Sequence, residues 1–294
     1  MPGDRRKGIA CIVVSAFGFA LMAFFVRLCD DYGAAVGCVQ KSFFRNVIAL
    51  VIAGWVFGAK VLRPASFAEI RSELTGRVLL NLVLRSVFGC VGIFANFYAL
   101  SRIPIGEAMT LNKTAPFFTV IFSWLLLGER VRLCQAVWLV TAFAGTLLVI
   151  RPGFRADDLF AAMCALTGGL GAGLAYVCVH TLGRLKVDGA LIVFFFSAFS
   201  CLASVPFIVF DYRPMTVAQL AIMIGAGAGA AIGQFGITAA YRYAEPRSIS
   251  VFDYTNVIFT GLLGFLFLGQ TPDSFAVLGF ATILFAAVMM RRST

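Results

Sequence analysis

The chain has 294 residues, of which 61% are hydrophobic and only 13% are charged, whereas a soluble globular chain is about half apolar and about a quarter charged. Its mean hydropathy is +0.94, and the apolar excess extends along the whole length, which exceeds what one aqueous core can bury. This composition excludes an ordinary soluble domain. Long unbroken apolar runs also disfavour a membrane β-barrel, whose strands alternate over segments of about ten residues.

A membrane-spanning helix needs about 20 apolar residues, and the chain contains ten such runs with short connections. The predicted helices are Gly8–Val26, Val36–Gly58, Val78–Ser101, Ala108–Gly128, Leu133–Ile150, Leu159–Gly183, Gly189–Phe210, Pro214–Tyr241, Ser248–Gly269 and Ser274–Met290. The first run resembles a secretory signal, but its length and the nine spans that follow favour a membrane helix. The sequence therefore predicts an all-α integral membrane protein with ten transmembrane helices.

Positively charged residues predict the orientation of these helices, because Lys and Arg are retained in cytoplasmic loops. Fifteen lie on one predicted side: Arg5, Arg6, Lys7, Lys60, Arg63, Arg71, Arg77, Arg130, Arg132, Arg184, Lys186, Arg242, Arg247, Arg291 and Arg292. Only five lie on the other: Arg27, Arg102, Arg151, Arg155 and Arg213. We therefore predict a multi-pass protein of the bacterial cytoplasmic membrane with both termini in the cytoplasm. No soluble basic domain remains to bind nucleic acid.

The eight cysteines lack the paired spacing of a zinc or redox site. Most lie inside apolar helices, where cysteine behaves as a small hydrophobic residue. Cys29 and Cys38 fall near the outer ends of the first two helices, where a disulfide is an alternative to two separate thiols. No ATP-binding loop is present, and we predict neither a metal nor a cofactor.

The second half of the sequence repeats the first at an offset of 141 residues. Leu125–Glu129 aligns with Leu266–Gln270, and the other matches include Gly92 with Gly233, Phe94 with Phe235, Ala99 with Ala240, Thr114 with Thr255, Phe118 with Phe259 and Arg151 with Arg292. Because each unit contains five helices, the second must cross the membrane upside down. We predict two inverted repeats, residues 1–152 and 153–294, an arrangement that in secondary transporters places the substrate at the repeat interface.

Several motifs resemble those of one known family. They are Leu111–Thr119, the Leu-Leu-Gly-Glu that ends at Glu129, Ile150–Gly153, Phe252–Asn256 with the following segment to Gly269, and Phe43–Arg45. Together they resemble the EamA type of the drug/metabolite transporter superfamily over nearly the whole chain. The resemblance implies ten helices around a central cavity lined mainly by helices 1, 3, 4, 6, 8 and 9. Gln270 departs from the glutamate that is common in the family, which we interpret as a minor structural difference.

Charged residues inside the predicted spans require an explanation, because each costs several kcal/mol at the bilayer centre. They are Lys41, Arg45, Arg85, Lys113 and Asp253. Lys41 and Arg45 share one helix face. Their side chains either reach the interface and neighbouring carbonyls, or act in gating or substrate attraction. Arg85 lies about 12 Å into its helix and is either a tie between helices or a binding group.

Lys113 is the leading candidate for substrate binding. It lies between Asn112 and Thr114, three residues before Pro116, and proline removes the hydrogen bond to the carbonyl of Asn112. At the repeat offset, Asn112 and Lys113 align with Asp253 and Tyr254, so an ammonium and a carboxylate occupy nearly equivalent positions of the two repeats.

This alignment suggests how the two charges are used. Lys113 would attract a carboxylate or phosphate, and Asp253 would hold an ammonium group or carry a proton. The alternative is a structural role, including a Lys113–Asp253 salt bridge. Further polar candidates for substrate binding are Asn96, Tyr98, Gln234, Tyr254 and Asn256. His180 is interpreted as an interfacial residue, and Glu107 near a helix end is expected to contact water.

The sequence favours a secondary transporter of small organic metabolites that works by alternating access, with amino acids or related zwitterionic or anionic solutes as its exported substrates. Uptake or exchange of a phosphorylated or nucleotide-like metabolite is one alternative. An intramembrane transferase and a passive channel are others. The expected partners are the small-molecule substrate and the lipid bilayer. The sequence leaves open whether the protein is a monomer or a homodimer.

Overall fold

The computed structural model describes residues 4–34, 36–61, 74–100, 102–103, 105–151 and 158–292. Within these ranges every regular element is helical, as the composition predicts. The elements are α1 (Arg5–Cys29), a 3-10 turn (Asp30–Tyr32), α2 (Cys38–Val61), α3 (Gly76–Leu100), α4a (Ile105–Asn112), α4b (Ala115–Leu127), α5 (Leu133–Ile150), α6 (Leu159–Arg184), α7 (Gly189–Phe210), α8 (Val217–Tyr243), α9a (Pro246–Ile249), a 3-10 segment (Ser250–Tyr254), α9b (Thr255–Leu268) and α10 (Ser274–Arg292).

All ten predicted spans have a helical counterpart. Nine segments of the described chain are long and apolar enough to cross a membrane, while the fourth span is divided into α4a and α4b, of 8 and 13 residues. The predicted cations Arg63, Arg71 and Arg155 lie outside the described residues. Cys29 is buried and Cys38 is exposed, and the two form no disulfide.

Polar caps set where several helices begin. The Asp4 side chain accepts from the amide of Lys7 at the start of α1, and Asp158 and Asp188 do the same at α6 and α7. Such acceptors satisfy the first amide groups of a helix, which have no partner within it. At α8, Thr216 forms a capping box with Gln219, so this helix begins three residues later than the apolar run at Pro214 suggests.

Two helix pairs pack most closely, α1 against α8 and α3 against α6. In the first pair, a Cβ atom on Gly18 would lie 2.5 Å from the amide N of Gly233. In the second, a Cβ atom on Gly92 would lie 3.0 Å from the carbonyl O of Gly168. Small residues allow this approach because no side chain separates the two backbones.

The pairing pattern repeats between the two halves. Helices 1 to 5 of the first half correspond to helices 6 to 10 of the second half. The pair α1–α8 therefore corresponds to the pair α6–α3, and the contact of α1 with α9b corresponds to the contact of α6 with α4b. The pairs α2–α7 and α5–α10 map onto themselves. Two copies of one five-helix unit would produce this pattern; the inversion of one unit relative to the other stays a prediction.

Candidate functional site

The fourth span is interrupted at the residue that the sequence singles out. α4a ends at Asn112 and α4b begins at Ala115, so Lys113 and Thr114 lie in a turn between two helices. Pro116 lies in the first turn of α4b, where its missing N–H leaves the carbonyl of Asn112 without a helical donor. The break therefore has the cause that the sequence indicates.

Lys113 joins three helices through hydrogen bonds. Its Nζ donates to Oδ1 of Asn256 at 2.7 Å, and its backbone carbonyl accepts from the hydroxyl of Tyr254 at 3.0 Å. The amide Nδ2 of Asn256 in turn donates to the carbonyl of Ala16 in α1 at 2.9 Å. The break in the first half of the chain is thus held against the irregular segment of the second half.

Asp253 lies in the 3-10 segment that precedes α9b and is partly exposed. Its charge acts on the ammonium of Lys113 and on the hydroxyls of Tyr176, Tyr241 and Tyr254. Among the described residues, no cation lies within 4 Å of its carboxylate. The salt bridge between Lys113 and Asp253 is therefore not formed, and the lysine binds a neutral amide instead.

Two arginines, Arg85 of α3 and Arg45 of α2, act on the hydroxyl of Tyr176, as Asp253 does. Arg85 is 2% exposed, donates from Nη2 to Oε1 of Gln234 at 2.9 Å, and places its Cζ 3.5 Å from the ring centroid of Phe196. Arg45 of α2 is partly exposed and donates from Nη1 to the sulfur of Met22 in α1. Both arginines have a buried Nε atom without a hydrogen-bond partner.

Lys41 differs from Arg45, although both lie on the same face of α2. Its Nζ lies 2.5 Å from Oδ1 of Asp30, in the 3-10 turn at the end of α1. An ion pair at this position ties two helix ends together. The structural interpretation of Lys41 therefore agrees with its contacts, whereas Arg45 contacts no carbonyl or carboxylate among the described residues.

Three other candidates, on α3 and α4a, contact α6. The amide of Asn112 packs against α6, with Nδ2 2.8 Å from where a Cβ atom on Gly168 would lie. Asn96 packs against the same glycine and has a buried Oδ1 without a partner. Tyr98 is 39% exposed and contacts Phe160 edge to face. Tyr98 thus lies near the end of α3, apart from the cluster around Lys113.

The sequence does not predict a buried network at the other end of the bundle. His180 donates from Nδ1 to the carbonyl of Tyr241 at 2.7 Å, and its Nε2 lies 3.1 Å from Oε1 of Glu129. The second carboxylate oxygen of Glu129 accepts from Ser123. Since both side chains are 8% exposed, His180 is a buried partner of Glu129, and its depth relative to the membrane interface stays a prediction.

The expectation that Glu107 contacts water is wrong, since it is 4% exposed. Its position explains the burial: it lies in the first turn of α4a, which packs on α6. A carboxylate there is also favoured by the positive end of the helix dipole. Within the described ranges, no three His, Cys, Asp or Glu side chains come together as a metal-binding group.

These observations define a class of protein. Charged groups lie at depth in a bundle of transmembrane helices, and the helices that carry Lys113 and Asp253 are both irregular at these residues. Interrupted helices at mid-membrane depth are tolerated where they line a cavity and form the substrate sites of secondary transporters. The fold and the site are those of a membrane transporter.

The chain belongs to the EamA-like transporter family, which matches residues 6–151 and again residues 159–292. It is 26% identical over 290 residues to the pseudopaline exporter CntI of Pseudomonas aeruginosa, covering 98% of this chain and 97% of that one. It is 27% identical over 242 residues to a riboflavin transporter of Rhizobium johnstonii, covering 81% and 78%. The family establishes small-molecule transport across a membrane as the activity.

The same fold occurs in a known crystal structure, with a TM-score of 0.78 over 95% of this chain and 97% of the other. The two sequences are 18% identical, so this likeness concerns the fold alone. A human relative, solute carrier family 35 member G1, is 23% identical over 287 residues, covering 92% of this chain and 75% of its own.

Proposed function

We propose that this protein is a secondary transporter that exports amino acids or related zwitterionic or anionic solutes across the bacterial cytoplasmic membrane by alternating access. The observation that carries the proposal is the pair formed by Lys113 and Asp253. These opposite charges lie on the irregular segments of two different helices, and they are not bonded to each other. A zwitterion has both complementary charges.

The proposed binding mode follows from the contacts of each group. The ammonium of Lys113 binds the substrate carboxylate, with Asn256 holding the lysine side chain in place at 2.7 Å. The carboxylate of Asp253 binds the substrate ammonium. Because each charge is costly at this depth when it is unpaired, the substrate stabilises the site by supplying both partners at once.

The hydrogen bond from Tyr254 to the backbone of Lys113 gives the proposed site a means of coupling to conformation. It links the two irregular segments directly. In our proposal residues 1–152 and 153–294 are the two repeats, and they rock about this link to open the cavity to one side at a time.

A second candidate function is uptake or exchange of a phosphorylated or nucleotide-like metabolite. The observation that favours it is the similarity to riboflavin transporters in two organisms. Tyr176 is partly exposed and stacks on the buried ring of Tyr241, with centroids 5.1 Å apart, so Tyr176 would supply the aromatic contact. Binding of riboflavin or a nucleotide in place of amino acids would favour this candidate.

The test is exchange in proteoliposomes that contain the purified protein. Vesicles loaded with unlabelled amino acids should take up labelled amino acids faster than empty vesicles, because a carrier returns more quickly when loaded. Lys113→Met should reduce this exchange at least about tenfold, the effect of losing a charge-assisted hydrogen bond. Asp253→Asn should also reduce it.

Lys41→Gln is the matched control, since it removes a lysine that is already paired with Asp30 at 2.5 Å. Its exchange rate should equal that of the wild type. Uptake that neither saturates nor responds to internal substrate would indicate a channel. Full activity of Lys113→Met would show that the substrate binds elsewhere.

A further inference from the structure

Arg45 and Arg85 form a pair that the proposed amino-acid site does not use. They belong to α2 and α3, and the charges of both guanidinium groups act on the thiol of Cys90 and the hydroxyl of Tyr176. Arg85 is 2% exposed, while Arg45 is partly exposed. Two cations therefore converge on one region deep inside the helix bundle.

The depth of both groups follows from their helices. Arg45 is seven residues from the first residue of α2, and Arg85 is nine from that of α3, which places them about 10 Å and about 14 Å from those helix ends. For a hydrocarbon core about 30 Å thick, Arg85 lies near the midplane.

The described part of the chain supplies no anion for these two cations. The partners of Arg85 are the amide oxygen of Gln234 and the ring of Phe196, and the partner of Arg45 is the sulfur of Met22. A thioether is a weak acceptor. Each arginine also keeps a buried Nε atom without a hydrogen-bond partner, which is a costly arrangement for a charged donor.

The charges of the side chains in this region do not balance. Lys113, Arg45 and Arg85 are three cations, and Asp253 is the one carboxylate that belongs to the proposed site. A zwitterion with one carboxylate and one ammonium would leave this imbalance unchanged. A ligand with a second acidic group would reduce it and would satisfy guanidinium donors that have no partner.

We propose that Arg45 and Arg85 form a second anion subsite of the transport cavity, so that the transported solute carries an amino group and at least two acidic groups. This inference rests on the proposed function, in which Lys113 and Asp253 bind the first carboxylate and the ammonium. Gln234 and Phe196 position Arg85, and the more accessible Arg45 contacts the incoming group first. Guanidinium suits this role because its planar donors match a carboxylate or a phosphate with two hydrogen bonds.

The test compares ligands with and without a second acidic group. The probes are L-glutamate against L-glutamine, L-aspartate against L-asparagine, and O-phospho-L-serine against L-serine, with the purified wild-type protein in detergent. Dissociation constants come from calorimetry at constant ionic strength, because salt screens charged contacts. We expect each diacid to bind about ten- to a hundredfold more tightly than its neutral counterpart. The phosphoserine pair shows whether a phosphate replaces the second carboxylate.

Variants then assign the preference to the arginine pair. Arg45→Gln should bring the affinity for L-glutamate to that for L-glutamine, while binding of L-glutamine changes little. Lys41→Gln, one helical turn away and already paired, should keep the wild-type preference. A preference that persists in Arg45→Gln overturns the assignment.

The outcomes separate this inference from the function on which it rests. Equal binding of acid and amide by the wild type would overturn the second subsite and leave the amino-acid transporter intact. Binding of neither member of any pair would overturn the proposed substrate class and the subsite with it. Because the wild-type comparison needs no substitution, it holds even if an arginine variant fails to fold.

Discussion

The hydrogen bonds around His180 place this residue between Tyr241 and Glu129. The carbonyl of Tyr241 can only accept, so Nδ1 of His180 carries a hydrogen. The other ring nitrogen, Nε2, lies 3.1 Å from Oε1 of Glu129, so the imidazole contacts this buried carboxyl directly.

Glu129 lies in the loop after α4b and has a lowered pKa. Burial alone would raise the pKa of this carboxyl, but the hydrogen bonds from His180 and Ser123 and the nearby charge of Arg247 lower it further than burial raises it. A carboxyl with a lower pKa in the folded state stabilises the protein above its unfolded pKa, and this contribution is lost as the pH falls through the folded value.

We expect Glu129→Gln to remove part of the acid sensitivity of the protein. The wild type should lose stability below about pH 4.5, whereas the variant should be about 1–3 kcal/mol less stable at neutral pH and should change less on acidification. Thermal unfolding between pH 3.5 and 7 measures both. Asp211→Asn, at an exposed carboxylate paired with Arg213, should retain the wild-type pH dependence; identical curves for wild type and Glu129→Gln would contradict the assignment.

For individual residues, the sequence predicts which charged side chains lie inside the membrane spans better than it predicts which groups they contact. Lys113 and Asp253 are recognisable because a charge inside an apolar run is costly wherever its side chain points. Lys113 bonds to Asn256 and not to Asp253 because of how the fourth and ninth spans pack against each other. No local sequence pattern encodes this packing. For the same reason Glu129 and His180, on different elements, are not recognisable as a pair.

The helices that carry the site are held together by glycine contacts between backbones. Gly18 of α1 faces α8 so closely that a Cβ atom would lie 2.5 Å from the amide N of Gly233 and 2.9 Å from the carbonyl O of Gly229. Backbone atoms of a packed helix cannot rotate away as a side chain can. α1 also carries Ala16, whose carbonyl accepts from Asn256, so displacement of α1 would reach the site.

Gly18→Ala should therefore destabilise the protein by about 1–3 kcal/mol, the usual cost of overpacking. It should also weaken substrate binding, because the acceptor for Asn256 moves with α1. Gly58→Ala is the matched control: it lies in α2, and a Cβ atom there would meet nothing within 4 Å. Thermal unfolding of both variants checks the expectation, and equal melting temperatures would refute close packing at Gly18.

The two irregular spans differ in what the sequence could predict. Pro116 marks the break in the fourth span, because proline cannot continue the hydrogen bonding of a helix. No proline lies within the 3-10 segment Ser250–Tyr254. There the hydroxyl of Ser250 bonds to the carbonyl of Pro246, and that of Thr255 to the carbonyl of Phe252, and such bonds compete with regular helix geometry. Ser and Thr are common in helices, so this irregularity has no distinctive sequence signal.

Across the whole molecule, the two termini lie at the same end of the bundle. Nη2 of Arg5 donates to the carbonyl of Met290 at 2.8 Å, which places the start of α1 beside the end of α10. At the other end, Arg27, Arg151 and Arg213 each pair with an aspartate. Those pairs reduce the positive charge at that end and leave the excess at the end with the termini.

Retention of positive charge in the cytoplasm then predicts the absolute orientation. Cys38, the exposed first residue of α2, should face the outside of the cell and react with a membrane-impermeant maleimide in intact cells. A second variant carries Arg184→Cys, at the exposed end of α6, in a Cys38→Ser background. Its introduced cysteine should react only after the membrane has been made permeable. Mass spectrometry of the purified protein measures both reactions. Labelling of the introduced cysteine in intact cells, together with no labelling of Cys38 in the wild type, would reverse the orientation and place both termini outside.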